Sequence, residues 1–122
     1  MTKKLKSFFY NKLKFYWHVY QVYKSRLRLR IYGRGMLHDV HAFFTEQGIR
    51  YFIDYGTLLG AIREKHFISH DNDIDISVFA DDVSPKKVLE GMKAKGFSFF
   101  RALEYNGIIT EIVFCRHNVH CD

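Results

Sequence analysis

The chain has 122 residues, 48% of them hydrophobic and 17% aromatic, which is enough for one buried core but not for two. Its net charge of +6 hides a segregation: ten of the 19 Lys/Arg and none of the 13 Asp/Glu lie in residues 1–35, leaving −4 on residues 36–122. This composition excludes a disordered chain, and having only two cysteines, Cys115 and Cys121, excludes a disulfide framework.

Residues 3–32 contain neither Pro nor Gly and predict one long helix, with Gly33 and Gly35 as its stop. Phe8, Phe9, Leu13, Tyr16, Tyr20 and Tyr23 recur along it at three- and four-residue steps, giving one apolar stripe among lysines and arginines. The basic start runs into aromatic residues rather than the clean apolar core of a signal peptide. The most apolar early run, Phe15 to Tyr23, is far shorter than the ~20 residues a spanning helix needs. The expectation is a soluble or peripheral chain in the cytoplasm, at most on the inner face of the membrane. As an interfacial helix, residues 3–32 would set Lys and Arg against headgroups and aromatic residues at the acyl boundary. Nucleic acid and a packing surface are the other two readings of this arm, nucleic acid the less favoured.

A second helix fits Met36 to Gln47, where Met36, Leu37, Val40, Phe43 and Phe44 share a face and Gly48 ends the helix. Ile49 to Tyr55 is strand-like, Thr57 to Glu64 a short helix directly after Gly56, and Lys65 to Asn72 a polar loop. Asp73 to Phe79 alternates acidic and apolar residues as an interior strand with a functional end does. Ser84-Pro85 opens a further helix that stops at Gly96. Phe97 to Leu103 and Ile108 to Arg116 predict a hairpin around Tyr105-Asn106-Gly107. His117 to Asp122 begins another element, so residues 36–122 are expected to be the amino-terminal part of a longer domain, preceded by a basic helical arm at 1–35.

Two features in the middle of the chain carry chemistry. Side chains at i and i+2 of a strand share a face, so Asp73 and Asp75 stand together with Ile74 and Ile76 behind them. Adjacent carboxylates repel, and a hard cation with oxygen ligands, Mg²⁺ or Mn²⁺, relieves that repulsion. Gly56 and Thr57 supply the complementary part. A glycine lets backbone approach phosphate, the following helix aims free N–H groups at it, and the Thr57 hydroxyl adds a hydrogen bond. The plainer reading is a solvated, turn-capping acidic loop from Asp71 to Asp75. The pattern is neither an EF-hand nor a P-loop. Cys115, His117, His120 and Cys121 match no zinc framework and read as buried small residues with exposed histidines.

The run GTLLGAIREKHFISHDNDIDI, from Gly56 to Ile76, resembles the signature of the LicD family, which includes bacterial phosphocholine transferases and fukutin-related proteins. Gly56, Thr57, Leu58, Leu59, Gly60, Ala61 and Arg63 match it, as do Phe67, Ile68, Asp71, Asp73, Ile74 and Asp75. His66, Ser69, His70 and Asn72 depart from its Gly, Pro, Trp and Asp.

The resemblance implies an α/β fold, a nucleotidyltransferase-like mixed sheet with flanking helices, and divalent metal on Asp73 and Asp75. It also implies transfer of a phospho-group, such as phosphocholine or an alditol phosphate, from a CDP-activated donor to a cell-surface glycan or lipid-linked precursor. Asp122 begins the segment where the family carries a third carboxylate, with Glu111 as its substitute. Asp71 is expected to order the loop, and Arg63 to neutralise the leaving nucleotide or simply to be solvated. A nucleotidyltransferase moving NMP, and a truncated non-catalytic binder of membrane or nucleic acid, remain the alternatives.

Overall fold

A computed structural model describes residues 3–122. One helix, α1, runs unbroken from Lys3 to Glu46, which corrects the expected division into helices 3–32 and 36–47. Gly33 is buried inside it, where an added Cβ would lie 2.7 Å from Phe67 Cε2 and 2.9 Å from Leu29 Cδ1. Its lack of a side chain lets the Phe67 ring meet the helix, so this glycine packs rather than terminates. Gly35 is exposed, with nothing within 4 Å of an added Cβ. A glycine at such a site costs a helix about 1 kcal/mol relative to alanine, which packing elsewhere along α1 outweighs. Residues 3–20 are exposed, whereas Leu29, Met36, Val40, Phe43 and Phe44 are buried in the core. Gly48, at φ 67°, follows the end of α1.

The remaining elements are β1 (Tyr51–Ile53), α2 (Tyr55–Arg63), β2 (Asp73–Ile74), β3 (Ile76–Val78), a 3₁₀ turn at Ala80–Asp82, α3 (Pro85–Ala94), β4 (Ser98–Tyr105), β5 (Ile108–Arg116) and β6 (Val119–Cys121). They make two open sheets. One is the antiparallel pair β1–β3, and the other has the order β2-β6-β5-β4 with β2 and β6 parallel. This is the expected mixed α/β arrangement with an N-terminal helix.

The expected strand Asp73–Phe79 is divided between the sheets. Ile74 pairs with Cys121 in the larger sheet and Ile76 with Ile53 in the smaller, while Asp75 sits at the junction. The alternation of faces survives the division, because Ile74 is fully buried and Ile76 packs against the core. Asn106 and Gly107, at φ 51° and 77°, close the β4–β5 hairpin with the left-handed pair that a tight turn requires. His117 and Asn118 (φ 55° and 57°) make a second such turn into β6, which carries no Asn-Gly signal in sequence.

The core joins α1 to Val88 and Met92 of α3 and to Ile74, Phe114, Val119 and Cys121 of the larger sheet. His117 stacks on Tyr32 with ring centroids 4.2 Å apart, and His120 lies 4.4 Å from Phe100. Among the described residues no helix is long and apolar enough to cross a membrane.

The unbroken helix gives opposite signs for two alanine substitutions. Gly35→Ala is expected to raise unfolding free energy by about 0.5–1 kcal/mol, whereas Gly33→Ala is expected to lower it by about 1–2 kcal/mol through overpacking against Phe67. Urea titration of both variants checks this; loss of stability in Gly35→Ala would mean that the helix stops there.

Candidate metal centre

The site forms where β1 turns into α2 opposite the β2–β3 junction. Asp54 ends β1 and caps α2, its Oδ1 accepting the Tyr55 N–H at 2.8 Å. The same carboxylate accepts the Ser77 hydroxyl at 2.8 Å through Oδ2, and the Asp54 N–H donates to the Asp75 carbonyl at 3.0 Å. Tyr55 takes a left-handed φ of 41°, which keeps this turn tight. Thr57 is buried and its Oγ1 accepts the Asp75 N–H at 2.9 Å. The Asp75 peptide, which no strand pairs, is thereby held from both sides.

These bonds gather the acids. Carboxylate oxygens of Asp71, Asp73 and Asp75 lie within 4.8 Å of one another. Asp71 stays in the loop ahead of β2, and its carboxylate turns inward beside those of Asp73 and Asp75. One oxygen of Asp71 accepts the Asn72 N–H at 3.0 Å, and the other, Oδ2, is buried without a partner. An added Cβ on Gly56 would fall 2.5 Å from that Oδ2, so this glycine makes room for Asp71. Asp122 continues the parallel pairing beside Asp75: its N–H donates to the Ile74 carbonyl at 2.8 Å and its carbonyl accepts the Ile76 N–H at 2.9 Å. Asp122 Oδ1 is also buried without a partner.

Glu111 pairs with Arg101 at 3.0 Å, and Arg63 is exposed in the last turn of α2. Gly56 and Thr57 face the aspartates: the Gly56 N–H supports the charged form of Asp75, and the Thr57 hydroxyl holds its backbone. Asp54 was given no role from sequence, although an Asp directly before a helix is a capping signal.

Crowding sets the electrostatics. Burial, the Asp71 carboxylate against it and the charges of Asp75 and Asp122 push the Asp73 carboxyl up to about 7. Burial and the charges of Asp71 and Asp122 push Asp75 up to about 6, against the Gly56 N–H. Asp122 is raised by burial and by Glu111, with His120 and Arg101 opposing. Three carboxylates within 4.8 Å of one another, one of whose oxygens is buried without a partner, fit a hard divalent cation, for which oxygen is the preferred donor. Mg²⁺ and Mn²⁺ both meet that description.

The family description "LicD/FKTN/FKRP, nucleotidyltransferase domain" matches residues 48–118. The chain belongs to the LicD family. It is 32% identical over 72 residues to an uncharacterized Rickettsia prowazekii protein, covering 58% of this chain and 27% of that one. It is 35% identical over 82 residues to the ribitol 5-phosphate transferase FKRP of Mus musculus, covering 62% of this chain and 16% of the relative. With the Homo sapiens FKRP it shares 35% over 63 residues, 47% of this chain and 13% of the relative. The chain thus spans 27% or less of the length of these relatives. No solved structure matches it. The LicD match covers Asp71, Asp73 and Asp75, while α1 and Asp122 lie outside it.

Metal-free stability is expected to depend on pH in a defined direction. Asp73 and Asp75 keep their protons to higher pH folded than unfolded, where such carboxyls titrate near about 3.9. The folded chain therefore binds more protons between about pH 4 and about pH 7, and stability falls as pH rises through that window. Asp39 and Asp82, lowered by Arg116 and Arg50, act in the other direction but below it. Thermal melting should give a higher Tm near about pH 5 than near about pH 8 without metal, and a larger Mn²⁺-induced rise at the higher pH. A metal-induced rise that is equal at both, or absent, contradicts the site.

Proposed function

We propose that the protein is a metal-dependent phosphotransferase of the LicD type. In this reading it moves a phospho-group, an alditol phosphate or phosphocholine, from a CDP-activated donor to a cell-surface glycan or lipid-linked precursor. The observation that carries the reading is the convergence of Asp71, Asp73 and Asp75 around a buried oxygen that has no partner in the chain. Family membership supports the reaction class, and the name of the FKRP relatives, ribitol 5-phosphate transferase, favours an alditol phosphate.

Phosphoryl transfer needs positioned groups and charge neutralisation more than covalent help from the protein. Asp73 and Asp75, with Asp71 as third ligand, would hold Mg²⁺ or Mn²⁺. The cation would neutralise the donor pyrophosphate and polarise the phosphorus under attack. Asp122 stands beside this cluster with a free buried oxygen and a raised pKa, suited to accept the proton of the attacking hydroxyl. Gly56 and Thr57 serve the phosphates indirectly, by making room for Asp71 and fixing Asp75. Arg63, exposed after the turn, is free to meet the departing nucleotide.

Incubation with CDP-ribitol, CDP-glycerol or CDP-choline labelled separately in each half tests this, with Mn²⁺ and a glycan acceptor. The phospho-group half should appear on the acceptor, and Asp73→Asn should lower turnover by about 100-fold or more while leaving the fold intact. Transfer of the cytidylyl half instead would make the protein a nucleotidyltransferase. Full activity in Asp73→Asn would overturn the assignment of the site.

A further inference from the structure

The apolar face of α1 changes sides along its length. In the half that packs on the domain, Leu29, Met36, Val40 and Phe43 are buried along one line. In the arm, Phe9, Leu13, Tyr16, Tyr20, Tyr23 and Leu27 form a second line, each 44–68% exposed. At 3.6 residues per turn the second line lies about half a turn from the first. The side that continues the domain-packing line toward the N-terminus is mostly polar, carrying Ser7, Asn11, Lys14, His18, Gln21 and Ser25 beside Phe15 and the half-buried Val22. This second line therefore points away from the domain.

Charge decides among the occupants of such a face. Residues 1–35 hold ten Lys/Arg and no acid. Lys12 flanks the apolar line on one side and Lys6 and Lys24 on the other, each within about 60° of it on the helical wheel. A second copy laid on this face would bring like charges together along its whole length. An anionic bilayer complements both parts: the stripe enters the headgroup–acyl boundary, the flanking cations reach lipid phosphates, and the polar side stays in water. Trp17 and the tyrosines are residues that favour this boundary.

We propose that residues 3–27 form an in-plane docking helix for an anionic membrane surface, holding the domain on its water-facing side. The half of α1 beyond Leu29 is packed into the core, so the docked arm and the domain share one continuous helix. This inference does not depend on the proposed transferase activity.

Trp17, the only tryptophan in the chain and 63% exposed, is a built-in probe. The intact protein is mixed with phosphatidylcholine vesicles and with vesicles containing phosphatidylglycerol, then followed by flotation, Trp17 emission and acrylamide quenching. Only the anionic vesicles should float the protein, blue-shift Trp17 and shield it, and raising salt should weaken all three effects. Lys12→Gln with Lys24→Gln should weaken partitioning by about 25-fold, at about 1 kcal/mol for each cation. Leu13→Ser with Tyr20→Ser should abolish the Trp17 shift while leaving melting and its Mn²⁺ response unchanged, because both side chains are exposed. Absence of anionic-vesicle binding overturns the proposal. So does shielding of Trp17 by self-association without lipid, or tighter binding to RNA that the Leu13/Tyr20 variant retains.

Discussion

Asp75 is the residue that neither sheet claims. Its N–H goes to the Thr57 hydroxyl and its carbonyl to the Asp54 N–H, so its backbone hydrogen bonds run to the β1–α2 turn rather than to a strand partner. A buried peptide must be satisfied somewhere, and this solution ties both sheets and α2 to one point. The other features of the site follow from that tie. Asp54 can cap α2 and accept Ser77 only because the turn lies against β3. Gly56 must lack a side chain because Asp71 occupies the space beside it. Several carboxylates are thus held together by neutral hydrogen bonds that cost the fold little, while their mutual repulsion is left uncompensated. Burial first, and this repulsion second, raise Asp73 to about 7 and Asp75 to about 6. Carboxylates buried and crowded in this way are what a bound cation would relieve.

The second organising constraint is α1. It is a long lever with opposite apolar faces in its two halves, and only the second half belongs to the core. Gly33 lets Phe67 approach, which anchors the loop between α2 and the acidic strand to the helix. The same helix therefore supports the loop that leads to the acidic cluster and, in its exposed first half, presents an aromatic, cationic surface. A family whose match begins at residue 48 leaves this helix outside its shared domain.

Much of this was legible in sequence, and the failures have physical causes. Strand alternation placed Asp73 and Asp75 on one face, and Asn106-Gly107 closed its hairpin where that dipeptide predicts. The motif from Gly56 to Asp75 carried the family resemblance, which the domain match at 48–118 bears out. The break in α1 was misread because two glycines coincide with a jump in the phase of the apolar pattern. A change of face looks like a change of helix, and only the Phe67 contact distinguishes them. Asp71 does lie in the loop before β2, but alternation says nothing about where a side chain points before the strand begins. Its inward turn depends on the room left by Gly56, a contact across 15 positions of sequence. The division of Asp73–Phe79 was hidden for a related reason: a strand that changes sheets keeps its alternation, and only the hydrogen bonds of Asp75 record the change.

Proton counting on metal binding tests the central claim most directly, because repulsion stored in the carboxylates predicts that a cation displaces protons. Mn²⁺ is titrated calorimetrically near about pH 6.5 in two buffers of different ionisation enthalpy. The account predicts a saturable heat that differs between the buffers, with release of about one proton per ion, chiefly from the Asp73 carboxyl that titrates at about 7. No saturable heat, or a heat identical in both buffers, would contradict it.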